Sequence, residues 1–203
     1  MGLVILGALA LYLLISVFVV IGAIRYAKKA GKSTKRWGWG AALVMYLIPF
    51  WDWLPTVAVH RYYCATEAGF WIYKTVDQWK TENPGVMEKL VANKGAPSRY
   101  EIFNDGHGVK DTYMLNNRFH WTITKLDVFS WLPIMKFQQE VLDAKNDTVL
   151  AQYVDFATGN SIKNTVGPPG PVKFWLHSRH CVGGGSNQDA LRNFRDFFLG
   201  GKQ

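Results

Sequence analysis

The sequence is short of the residues that most catalytic motifs need. It has two cysteines and five histidines in 203 residues, with no H-E-x-x-H, no G-x-S-x-G, no C-x-x-C and no C-x-x-C-H. These gaps exclude the usual zinc-hydrolase, serine-hydrolase, thioredoxin-like and c-type haem signatures. Gly183-Gly184-Gly185 is not followed by Lys-Ser/Thr, so it fails the P-loop pattern. No cofactor is expected, and the balance leans away from an enzyme.

Charge is missing just as selectively. From Gly2 to Ile24 there are 23 consecutive uncharged residues, dominated by Leu, Val, Ile and Ala. About 20 such residues cross the hydrocarbon core, so this stretch is read as a transmembrane helix. A secretory signal peptide would need a basic start and a shorter apolar core, and nothing basic precedes Leu3. Acid is then absent from residues 25–36, which hold Arg25, Lys28, Lys29, Lys32, Lys35 and Arg36. Between two apolar stretches such a run reads as the cytoplasmic loop of a helical hairpin, in contact with anionic lipid headgroups. The net charge of +8 therefore implies no nucleic acid: from His60 onward 17 basic residues face 14 acidic ones.

The second apolar stretch starts at Trp37-Gly38-Trp39 and runs to Pro49-Phe50-Trp51-Asp52-Trp53-Leu54-Pro55. Asp52 falls about 22 Å along a helix begun at Trp37, at about 1.5 Å per residue. That depth suits an interface where tryptophans gather and a carboxylate reaches water. Trp37, Trp39, Trp51, Asp52 and Trp53 are accordingly assigned to the membrane interfaces, with Pro55 expected to end or kink the helix. The expected spans are about 2–24 and 37–56, and residues 1–59 form the hairpin. With the basic loop inside, both termini and the segment 60–203 lie on the outer side, the periplasm of a bacterial inner-membrane protein.

Cys64 and Cys181 both fall in that segment, and a pair in an oxidising compartment suggests a disulfide. The segment itself reads as one small α+β domain with an antiparallel sheet. Residues 73–93 suggest two short helices broken at Asn83-Pro84-Gly85, the first opened by a Thr75/Gln78 capping box. Strands are expected at 118–126, 134–142 and 148–156, with turn chemistry at 143–147 and again from Asp155 to Asn160. A last helix is expected from Ser186, capped with Asp189, bearing Leu191, Phe194, Phe197 and Phe198 and stopped by Gly200.

His177-Ser178-Arg179-His180-Cys181 is the best candidate for chemistry. His177 and His180 would be the ligands of a metal site, with His107 or His120 as a third. Against this stands an aromatic cluster, Tyr62, Tyr63, Phe70, Trp71 and Tyr73, packed into twelve positions just after the second apolar stretch. A domain this small has one modest core, so some of these rings should stay exposed and bind a partner. The expected function is a non-enzymatic accessory or scaffold subunit of a membrane assembly, its partners being lipids and other membrane subunits. The alternatives are a metal-dependent enzyme built on His177 and His180, and an ion-coupled transport component centred on Asp52.

Overall fold

A computed structural model describes residues 2–93, 98–159, 180, 181 and 183–199. The chain divides into two compact units, Met1–Pro55 and Thr56–Gln203.

The first unit is a helical hairpin. Helix α1 spans Gly2–Lys29 and α2 spans Thr34–Phe50. Three of the six basic residues, Arg25, Lys28 and Lys29, belong to the last turns of α1, so the connecting loop is only 30–33. Lys and Arg are good helix formers, and their charge suits a helix C-terminus. Gly31, at φ 65°, makes the reversal. Gly38 lets the helices approach: a Cβ there would stand 3.1 Å from Ile24. The Tyr12 hydroxyl donates to the Met45 carbonyl, and Tyr26 and Trp37 pack with ring centroids 5.5 Å apart.

Within α1, Leu6–Lys29 is long and apolar enough to cross a membrane. The expected second span, 37–56, is not one continuous helix. α2 stops at Phe50, the chain breaks at Trp51-Asp52, and α3 starts at Trp53 and runs to Thr66. Only the bent pair of α2 and α3 taken together meets the same length test. The helix is kinked beside Pro55, as expected: α2 and α3 meet at an angle of 53° across the break. Pro55 sits in the first turn of α3, where its missing N–H costs nothing. Asp52 was expected to reach water, but it lies at the break and is 1% exposed. Trp37, Trp39, Trp51 and Trp53 are all exposed.

The second unit is built on one six-stranded antiparallel sheet in the order β1-β6-β5-β4-β3-β2. Its strands are β1 Gly69–Ile72, β2 Ser98–Phe103, β3 Gly108–Met114, β4 Phe119–Asp127, β5 Ile134–Asp143 and β6 Thr148–Thr158. Helix α4, Val76–Glu82, follows β1 and opens with the Thr75/Gln78 capping box. The expected second helix is reduced to a single 3-10 turn, Met87–Lys89.

Alternation along β6 separates two cores. Ala151 and Tyr153 face one side, where Trp79 of α4 and Leu191 and Phe198 of the last helix close over Phe119 and Val141. Val154 and Phe156 face the other, with Leu132, Ile134, Cys181 and, from α3, Val59, Tyr63 and Cys64. The last helix, α5, spans Gly184–Phe198 and begins two residues before Ser186. Gly183 at φ 81° occupies its N-cap, and the Ser186 hydroxyl donates back to the Gly183 carbonyl instead of capping. Its aromatic stripe is core, as expected.

Candidate functional site

The residues with the most chemical potential meet at the end of β6. Gly69 of β1 pairs with Val154, so Asp155–Thr158 extend past the reach of β1. That bare stretch of edge is met by α3 and by the segment leading into α5. His60, on α3, bonds through Nε2 to the Phe156 carbonyl at 3.0 Å. Cys64 lies one turn further along α3, and its sulfur stands at disulfide distance from that of Cys181, with the Cα atoms 5.4 Å apart. The pair closes a sequence separation of 117 residues. The Cys181 sulfur in turn lies 3.8 Å from the Phe156 carbonyl oxygen.

Asp155 organises the other side of the same strand end. One carboxylate oxygen accepts the Cys181 amide at 3.0 Å and the Phe156 amide at 2.9 Å, and the other meets His180 Nδ1 at 2.6 Å. The carboxylate is buried, while the His180 ring is more than half exposed. Tyr153, two residues back on the same face, has its hydroxyl pKa pushed well up by burial and then by the Asp155 charge and hydrogen bond. Gly184 makes this packing feasible, since a Cβ there would stand 3.2 Å from both the Asp155 oxygen and the Tyr153 hydroxyl. Around these groups is a cavity of about 360 Å³, lined by Lys125, Phe137, Tyr153, Asp155, His180 and Gln188. An Asp-oriented imidazole beside a lysine is suited to holding a small polar or anionic group. Among the described residues, the hydrogen-bond partner of His180 is Asp155, not a nucleophile.

Of the expected metal ligands, His180, His107 and His120 are among the described residues and form no metal-binding group there. His177 lies outside the described residues, as do the Pro-rich 167–171 segment and Gly200. His107 pairs with Asp127 at 3.1 Å, next to the start of β3, and His120 sits on β4 opposite Leu142. Of these three histidines only His120 lies on a strand; His107 precedes β3 and His180 stands beside Asp155 near the end of β6. The grouping with ligand atoms close enough to share a metal, among the described residues, is instead His60, Cys64 and Cys181. His60 was missed because it sits where a membrane span was expected to exit. The signal was present as H-x-x-x-C, which puts both side chains on one face of a helix.

The aromatic cluster separates into two kinds. Tyr63 stacks on Phe156 with centroids 5.0 Å apart, and Phe70 packs against the Trp79 core, so both are structural. Tyr62, Trp71 and Tyr73 are 63%, 39% and 59% exposed. The Tyr73 hydroxyl donates to Gln152 Oε1 at 2.7 Å, which fixes its ring beside the outer strand. No protein family, no curated protein and no solved structure matches this chain.

Proposed function

We propose that this chain is a non-enzymatic accessory or scaffold subunit of a bacterial inner-membrane assembly. The hairpin of α1 and the bent α2–α3 pair anchors it, and the sheet domain binds a partner on the periplasmic side. The observation that carries this reading is the outer strand β1. Its sequence, Gly69-Phe70-Trp71-Ile72, ends the sheet order, and Trp71, Ile72 and Tyr73 stay exposed along it. An uncharged, aromatic edge strand is a template for strand addition, and buried aromatic anchors dominate interface energies.

Six basic residues at the hairpin turn and none in the preceding 24 support the orientation, because Lys and Arg are retained in the cytoplasm. The metal-enzyme alternative has no group of three or more metal-ligating side chains around His180 among the described residues. The transport alternative rests on one acid, Asp52, with no second acid in residues 1–59.

The test is affinity purification of the full chain from native membranes in mild detergent, comparing wild type with Trp71→Ala and Tyr73→Ala. A partner subunit lost from both variants, with circular dichroism unchanged, is the expected result. Unaltered co-purification in both would refute binding through β1. Orientation is checked separately by labelling in intact cells: a cysteine placed at the exposed Asn146 should react with an impermeant reagent, and one at Ser33 should not.

A further inference from the structure

We infer that His60, Cys64 and Cys181 form a thiophilic metal site that the disulfide closes and two-electron reduction opens. The ligand atoms of the three side chains lie within 4.8 Å of one another. Two come from one turn of α3, and the third is set in place by a separate anchor, the Cys181 amide held at 3.0 Å by Asp155. Releasing the sulfur–sulfur bond therefore leaves Cys181 where it is, with its backbone still tied to β6.

The histidine is prepared in the way metal ligands are. Its Nε2 lies 3.0 Å from the Phe156 carbonyl oxygen, an acceptor that cannot donate, so this nitrogen carries the proton. That hydrogen bond fixes the tautomer and leaves Nδ1 with its lone pair; the Cys64 sulfur stands 3.9 Å from Nδ1 and 3.4 Å from Nε2. In a tetrahedral site with metal–N near 2.0–2.1 Å and metal–S near 2.3 Å, such atoms stand on the order of 3.6 Å apart. With the ring held by Phe156, the Cys64 side chain, released when the disulfide opens, turns its sulfur from the Nε2 side towards Nδ1 to share one ion.

Two thiolates and an imidazole select a soft or borderline cation, Zn(II) or Cu(I). With Zn(II) the two thiolate charges balance the metal, which suits a site beside the buried Cys181. Three protein ligands leave a fourth position for water or an added ligand. The reaction balances as follows. A dithiol reductant gives up two electrons and two protons and becomes a disulfide, while Cys64–Cys181 becomes two thiols. A divalent ion then displaces both thiol protons.

The experiment uses the full chain in detergent, reduced, freed of reductant under argon and titrated with Co(II), whose thiolate complexes absorb strongly in the near ultraviolet. One equivalent per chain should produce that charge-transfer band, Zn(II) should abolish it, and the oxidised protein should give none. His60→Ala should keep two titratable thiols but bind Co(II) at least about tenfold more weakly, whereas His120→Ala should bind like wild type. If reduction loosens the domain, Zn(II) should restore its near-ultraviolet circular dichroism. Two free thiols with no band and no restoration, or equal affinity in His60→Ala, would overturn the site.

Discussion

Arg118 grips Asp143 in a two-point contact, Nε to Oδ1 at 2.6 Å and Nη2 to Oδ2 at 2.8 Å, beneath the ring of Trp79. The pair joins the start of β4 to the end of β5 in register, since Phe119 lies opposite Asp143. Trp79 Nε1 adds a third hydrogen bond to the same carboxylate at 2.8 Å, and Arg118 Nη2 also reaches Asn83. One ion pair thus ties helix α4 to the two central strands. Burial pushes the Asp143 carboxyl up, but hydrogen bonds from Arg118, Trp79 and the Lys145 amide, with the Arg118 charge, hold it below the ordinary carboxylate range. The same contact raises Arg118 further.

Arg118→Met should lower stability by about 3 kcal/mol in urea unfolding, because it strands a buried carboxylate among apolar rings. The pH dependence has a definite sign. A carboxyl depressed by folding stabilises above its unfolded pKa of about 4, and this contribution disappears as pH falls through the lower folded value. Wild type should therefore lose stability below about pH 4 more steeply than Arg118→Met does. Parallel acid profiles for the two proteins would contradict this role for the pair.

The Cys64–Cys181 link closes a very long loop, and for loops beyond about 100 residues the chain-entropy model gives on the order of 4–5 kcal/mol. The double Cys→Ser variant should melt well below the oxidised wild type. Non-reducing electrophoresis of wild type should show a band that slows after reduction. Two thiols alkylated in native, unreduced protein would contradict the bond.

Neighbouring tyrosines should behave in opposite ways. Tyr63 fills the second core against Phe156 and Phe129, so Tyr63→Ala should cost about 3 kcal/mol in unfolding free energy. Tyr62→Ala removes an exposed ring and should stay within about 0.5 kcal/mol of wild type. Equal losses in both would contradict the packing of Tyr63 against the second core and the exposure of Tyr62.

Much of this fold was legible in the sequence where side-chain periodicity was strong. β4, β5 and β6 begin and end within about two residues of their expected limits, because β-branched and aromatic residues alternate there and Asp143–Asp147 supplies the turn. β1 leaves no such signal: Gly-Phe-Trp-Ile has no alternation, and its pairing partner lies some 80 residues away. Asp155 reads as the start of a turn in sequence, since an acid inside a strand is unfavourable by propensity. The cost is offset by the Cys181 and Phe156 amides and by His180, partners that only the folded chain brings together. The disulfide was legible from the even cysteine count. His60 was not, because its chemistry depends on the Phe156 carbonyl across the β6 edge.

The central claim, that β1 is where a partner subunit docks, is tested most directly by site-specific photocrosslinking in living cells. A photoreactive phenylalanine analogue replaces Trp71, and a control carries it at Lys145, an exposed turn position between β5 and β6. The account predicts one discrete adduct of defined mass from position 71, made of this chain and a second membrane-associated protein, and none from position 145. Well-expressed, folded protein that gives no adduct at position 71 would contradict it.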